Sequence, residues 1–62
     1  MEKAKYVIIN SDNKYFVEIL SNNKIAFDKD KTEAREVDWE EGQELISYIE
    51  FKTGKVCDLE SI

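Results

Sequence analysis

The apolar positions divide the chain into a first half with strand periodicity and a second half with helix periodicity. Residues 3–9 alternate, which predicts a strand with Ala4, Tyr6 and Ile8 on one face and Lys5, Val7 and Ile9 on the other. Residues 15–20 and 24–27 also favour strands, and clusters of Asn, Ser and Asp at 10–13 and 22–23 are typical of turns. The pattern predicts a three-stranded antiparallel meander.

A helix is predicted from Trp39 to about Thr53. Asp38 is placed to cap its first turn, and Glu41 completes an Asp-x-x-Glu variant of the capping box. The apolar stripe that should face the sheet follows helical spacing and consists of Gly42, Leu45, Ile46 and Ile49. Because glycine inside a helix costs about 1 kcal/mol relative to alanine, we expect the helix to approach another backbone closely at Gly42.

The segments flanking this helix complete the predicted fold. Residues 28–32 form a charged connection, and residues 33–37 are expected to be a short extended or single-turn segment. Gly54 suits a left-handed helix C-cap, and residues 56–59 favour a final strand. Residues 1–62 are therefore expected to form one α+β domain, a small antiparallel sheet packed against a single helix in the order βββ(β)αβ.

Composition disfavours several classes of function. With 14 acidic residues, 9 basic residues and a net charge of −5, the chain should repel nucleic acid and anionic lipid. It contains no apolar run long enough for a membrane span or signal peptide, so we expect a cytoplasmic protein. One cysteine and no histidine disfavour a disulfide and a zinc site, and the absence of histidine also removes the commonest general base near neutral pH. We expect no enzyme activity, no cofactor and no metal.

Residues 3–50 contain a series of short motifs that also occurs in other small proteins. Its elements, in chain order, are Tyr6-Val7-Ile8, Lys14-Tyr15-Phe16, Phe27-Asp28-Lys29-Asp30, Ala34, Val37-Asp38 and a helix beginning Glu40-Glu41. In this arrangement the chain resembles short orphan proteins encoded by phages and prophages of low-GC Gram-positive bacteria. It departs from them at Trp39 and at Gly42, where those proteins often have alanine. The resemblance implies binding to a host protein, with inhibition or redirection of that protein, and it supplies no catalytic residue.

Negative charge is concentrated in residues 33–50. Seven acids against Arg35 give this segment a charge of −6, the acids being Glu33, Glu36, Asp38, Glu40, Glu41, Glu44 and Glu50. The segment is either an acidic face for a basic partner or a solvated helix exterior that keeps the domain soluble.

One face of the predicted helix combines acids with an aromatic residue. Glu40, Glu44, Ser47 and Phe51 lie opposite the apolar stripe and, together with Glu36, form the predicted protein-binding site. Phe51 is either an interface anchor or a side chain covered by Val56 or Leu59 after the chain turns back. Trp39 has a similar ambiguity, and packing at the edge of the core is the favoured interpretation.

Other candidate groups are better explained by packing. Tyr6, Tyr15 and Phe16 could stack on bases, but cross-strand packing in a hairpin explains them with few nearby cations. Cys57 has no histidine to activate it and is expected to be a half-buried strand residue.

Three functions remain open from the sequence. The leading hypothesis is a non-catalytic module that binds a host protein with a basic surface through the acidic helix face. The first alternative is a nucleic-acid mimic that occupies a DNA- or RNA-binding groove with the carboxylates of residues 33–50. The second is a homo-oligomeric structural or small-ligand-binding protein, in which a homodimer seals an exposed edge or patch.

Overall fold

Four strands form one antiparallel sheet in the computed structural model, which describes residues 4–62. The elements are β1 (Tyr6–Asn10), β2 (Tyr15–Ile19), β3 (Ile25–Asp28), a 3-10 turn (Lys31–Glu33), α1 (Trp39–Thr53) and β4 (Cys57–Ser61). The strands lie in the order β3-β2-β1-β4, so the last strand of the chain pairs with the first. This confirms the predicted small α+β fold. Lys3, which the sequence assigned to the first strand, lies outside the described residues.

The two hairpin turns are built in the same way from similar sequences. In Ser11-Asp12-Asn13 and Ser21-Asn22-Asn23, the last residue adopts a left-handed conformation, with φ of 62° and 63° respectively. In each turn the backbone N–H of this asparagine donates to the carbonyl three residues before it. Asparagine tolerates this conformation better than most residues, which explains why both turns end on it. The first turn is reinforced by the buried Asn10, whose side-chain oxygen accepts from two backbone N–H groups.

Helix α1 begins and ends at the residues that the sequence indicated. The Asp38 side chain accepts a hydrogen bond from the Glu41 backbone N–H at 2.8 Å, which caps the first turn. The Glu41 carboxylate pairs with the Arg35 guanidinium at 3.2 Å and does not accept from the Asp38 backbone N–H, so the second half of the predicted capping box is not formed. Gly54 ends the helix with a φ of 72°, a left-handed conformation that favours glycine.

The core lies between α1 and the face of the sheet that carries Ile8 and Phe16. Both side chains are buried, and they cluster with Val37 from the connection, Ile49 from the helix and Cys57 from β4. Around this cluster pack the partly buried Tyr6, Ile25, Phe27, Leu45, Ile46 and Leu59. Burying these side chains removes apolar surface from water, the main favourable term in folding.

Gly42 is buried at a point where α1 lies close to Leu59 and Val37. A Cβ atom at this position would lie 2.6 Å from Leu59 Cδ2 and 3.2 Å from Val37 Cγ2. The predicted close approach is therefore present, but the neighbours are side chains and not the backbone that we expected. Glycine is used here because the Leu59 methyl groups occupy the space of a side chain.

The extended segment before the helix is inserted between β1 and β2 and forms backbone hydrogen bonds to both strands. The Arg35 backbone N–H donates to the Phe16 carbonyl, whereas Val37 and Tyr6 exchange a reciprocal pair of backbone hydrogen bonds at 2.9 Å. Segment 33–37 was expected to be either a single turn or extended. Its first residue ends the 3-10 turn, and the segment then becomes extended. Its hydrogen bonds place Asp38 at the start of α1, directly beside β1.

The other face of the sheet is covered by the 3-10 turn and its flanking residues. Val7 points to this face and is buried, with Lys31, Thr32 and Ala34 beside it. Lys31 Nζ forms an ion pair with Glu60 of β4 at 2.6 Å, and this hydrogen bond raises the pKa of the lysine. Both sides of β1 are therefore packed.

Candidate functional site

The side of α1 that faces away from the sheet carries a stripe of exposed residues. We call Glu40, Glu44, Ser47 and Phe51 the outer stripe; all four are exposed. Their spacing of four, three and four residues places them in one line along the helix. The buried residues of the same helix, Gly42 and Ile49, lie on the opposite side. The structure therefore places four of the five predicted binding residues together on one accessible surface.

Phe51 is the most exposed large apolar side chain of the described residues, with 86% of its surface accessible. Val56 does not cover it, because Val56 is itself 65% exposed, and Leu59 packs beside Gly42 in the core. The interpretation that the chain end covers Phe51 is therefore wrong. An aromatic ring left in water contributes little to folding by burial, so Phe51 is accessible to a partner without loss of core packing.

Tyr48 and Lys52 flank the outer stripe. Tyr48 follows Glu44 by four residues and precedes Phe51 by three, so it borders both on the helix surface. The Lys52 ammonium lies 6.0 Å from the centre of the Tyr48 ring, within the range of a cation–π contact. The acidic end of the stripe is thus at the beginning of α1, and its end near Phe51 is aromatic with a basic neighbour.

Of the seven acids in residues 33–50, three have structural partners. Asp38 caps the helix, Glu41 pairs with Arg35, and Glu50 accepts the backbone N–H of Cys57 at 3.0 Å. The other four, Glu33, Glu36, Glu40 and Glu44, have exposed side chains. Two of these four, Glu40 and Glu44, belong to the outer stripe on α1, where the Glu41 carboxylate is also partly exposed but is paired with Arg35.

Glu36 lies apart from the other predicted binding residues. It belongs to the extended segment before the helix and borders a recess of about 250 Å³ with Val7, Lys31 and Ile62. Val7 points to the face of the sheet opposite α1, so Glu36 borders a different surface from the outer stripe. Helical periodicity does not apply to a residue before the N-cap, which is why the sequence could not separate it.

Trp39 forms part of a second feature that the sequence did not indicate. It is 57% exposed and meets Tyr6 edge to face, with ring centres 6.0 Å apart and ring planes at 66°. These rings border a recess of about 300 Å³, which is also lined by Ala4, Asp38 and Glu40. The favoured interpretation of Trp39 as a core-edge residue holds only in part: Trp39 contacts Tyr6, which packs against the core, but Trp39 is mostly exposed and does not belong to the core cluster. One feature of the sequence could have indicated this contact: Tyr6 lies on the helix-facing side of β1, and Trp39 lies in the first turn of the helix.

The remaining candidate groups, Phe16, Tyr15 and Cys57, are accounted for by packing within the domain. Phe16 is buried in the core, whereas Tyr15 points to the opposite face with its hydroxyl 3.5 Å from Glu60. Cys57 is a buried strand residue, and burial, reinforced by the charges of Glu50 and Asp58, raises the pKa of its thiol. A raised pKa keeps the sulfur protonated at neutral pH, which makes it a poor nucleophile.

Comparisons of the chain with protein-family models, with curated proteins and with solved structures return no match. Within residues 4–62, no three acidic or cysteine side chains are grouped as ligands for a metal ion. The only long helix of these residues is α1, and it is neither long nor apolar enough to cross a membrane. The resemblance to small phage proteins stays a prediction.

Proposed function

We propose that this protein is a non-catalytic protein-binding module that contacts a basic surface of its partner through the outer stripe. The observation that carries the proposal is the exposure of Phe51 at one end of a line of carboxylates. Aromatic residues are enriched among the side chains whose truncation weakens protein interfaces most. A rigid helix presents such an anchor with little loss of conformational entropy on binding.

The charge distribution supports a basic partner. Asp38, Glu41 and Glu50 have partners within the domain, whereas Glu40 and Glu44 are exposed carboxylates with no partner of this kind among residues 4–62. Exposed charges of this kind steer association and raise the on-rate for a partner of opposite sign, while adding little to affinity at high salt. We therefore assign affinity to Phe51 and steering to the two glutamates.

The test compares the parent protein with two variants of the stripe. Glu40→Lys with Glu44→Lys reverses both charges, and Phe51→Ala removes the anchor. Each is used as bait in a lysate of the source cells, and the captured protein is then purified and measured in direct binding experiments at low and high salt. We expect the double reversal to abolish binding at low salt and Phe51→Ala to weaken it at both salt concentrations.

A matched control separates the position of the charges from net charge. Glu18→Lys with Asp58→Lys changes the charge of the protein by the same amount at two exposed residues outside α1. This control should bind like the parent. If the control loses binding as much as the stripe variant, or if the stripe variant binds with parental affinity at low salt, the outer stripe is only a solvated exterior.

The two alternative functions give different results in these experiments. A nucleic-acid mimic would bind with an affinity that falls steeply with salt and that depends little on Phe51. A homo-oligomer would show a concentration-dependent mass in sedimentation, and Phe51→Ala would reduce that mass if Phe51 were the contact. That the partner is a host protein inhibited or redirected by this chain is part of the proposal, and its support is the resemblance of residues 3–50 to small phage proteins.

A further inference from the structure

We infer that the recess bordered by Trp39 and Tyr6 is a binding pocket for an arginine side chain of the protein partner. This inference rests on the proposed function and adds to it the chemistry of one contact. The recess has a volume of about 300 Å³ and opens beside the first turn of α1. One of its lining residues, Glu40, also belongs to the outer stripe, so a partner lying on the stripe reaches the recess without a second interface.

The walls of the recess suit a flat cation. Trp39 and Tyr6 meet at an interplanar angle of 66°, so their rings form two sides of a corner and are not stacked on each other. With 57% of its surface exposed, Trp39 still offers ring area to a ligand. A guanidinium group stacks on such a ring through cation–π attraction, for which tryptophan is the best aromatic partner.

The charge of the recess also selects a cation. Asp38 and Glu40 contribute two carboxylates to its lining. The beginning of a helix carries the equivalent of about half a positive charge, so the two carboxylates outweigh it. Asp38 uses Oδ1 for the helix cap, which leaves its second oxygen as a hydrogen-bond acceptor. A guanidinium group, with five N–H donors and no acceptor, matches carboxylates and aromatic faces at once.

The chain contains one tryptophan, so its fluorescence reports on this recess alone. The experiment titrates the 62-residue protein with Nα-acetyl-arginine N-methylamide and with the citrulline analogue, which has a similar shape and no charge. We expect a saturable change in Trp39 fluorescence with arginine at about millimolar concentration and a response at least about threefold weaker with citrulline. An equal response to both probes, or a change that does not saturate with arginine, would overturn the inference.

Variants then distinguish this pocket from the outer stripe. Glu40→Gln should weaken the arginine probe by about threefold or more, because it removes one lining charge without changing size. Glu44→Gln, one helical turn further along the stripe, should leave the probe affinity unchanged. If Glu40→Gln and Glu44→Gln weaken the probe equally, the effect is general electrostatics and the pocket assignment fails.

Separate experiments test the arginine pocket and the proposed function of the outer stripe. The probe titration requires no partner and tests the pocket alone. The capture experiment with Phe51→Ala tests the stripe at the other end of the helix. The Trp39→Leu variant should no longer bind the probe, which is measured by NMR chemical shifts of the residues around the recess. Its fold should survive, because more than half of the Trp39 surface is exposed. Retained probe binding in Trp39→Leu would contradict the role of the aromatic wall.

Discussion

The two sides of α1 have opposite relations to the rest of the molecule. On the inner side, Ile49 is fully buried and Gly42 is in contact with Leu59 and Val37. On the outer side, Phe51 lies two residues after Ile49 and is almost completely in water. Two apolar residues, two positions apart on the same helix, thus differ in environment: Ile49 packs in the core, and Phe51 is accessible to a partner. Stability and binding should therefore respond to different substitutions.

The largest effect is expected at the inner side of the helix. Ile49→Ala should lower the free energy of unfolding by about 2 to 5 kcal/mol, because it leaves a cavity at the centre of the core. A domain of this size has little stability to lose, so the variant should be largely unfolded in circular dichroism. Leu45→Ala should cost less, since Leu45 is only partly buried. A folded Ile49→Ala variant with parental stability would mean that the inner side does not hold the helix to the sheet.

Gly42 tests how tightly the inner side is packed. Gly42→Ala should lower stability by about 1 to 2 kcal/mol, because the new methyl group meets Leu59 and Val37 and this overpacking exceeds the gain in helix propensity. In a Leu59→Ala background the same substitution should be nearly neutral or stabilising. Chemical denaturation of the parent, the two single variants and the double variant measures the coupling free energy between positions 42 and 59. Equal costs of Gly42→Ala in both backgrounds would contradict the close contact with Leu59.

The helix cap has a smaller expected effect. Asp38→Ala should destabilise the domain by about 1 kcal/mol, because the Glu41 backbone N–H loses its acceptor. Asp38→Asn keeps an acceptor oxygen and should retain most of the stability, which makes it the control. Denaturation midpoints measure both variants. An unchanged midpoint for Asp38→Ala would show that the cap contributes little to this helix.

The smallest effect on stability is expected on the outer side. Phe51→Ala should change the free energy of unfolding by no more than about 0.5 kcal/mol, since the side chain is exposed and alanine is the better helix former. The same denaturation experiment compares it directly with Ile49→Ala. A loss as large as that of Ile49→Ala would remove the distinction between the two sides and place Phe51 in the fold.

Local chemistry made most of the fold predictable. The Asn-rich turns, the Asp38 cap and the Gly54 C-cap each act through the residue's own backbone or the adjacent turn, so their consequences do not depend on distant partners. The outer stripe was predictable for the same reason, because helical spacing fixes which residues share a side once the helix begins at Trp39. Glu36 lies apart from the stripe because it precedes that beginning.

Long-range pairing decided what the sequence did not. The chain determined by itself that there are strands, two turns and one helix with an inner and an outer side, since these follow from spacing and turn chemistry. Contacts across the folded domain were needed to show that β4 pairs with β1, that residues 35–37 lie between β1 and β2, and that Leu59 packs against Gly42. The tertiary structure also decided that Phe51 stays exposed and that Trp39 meets Tyr6. Each of these outcomes depends on contacts between residues far apart in the chain, for which periodicity carries no information.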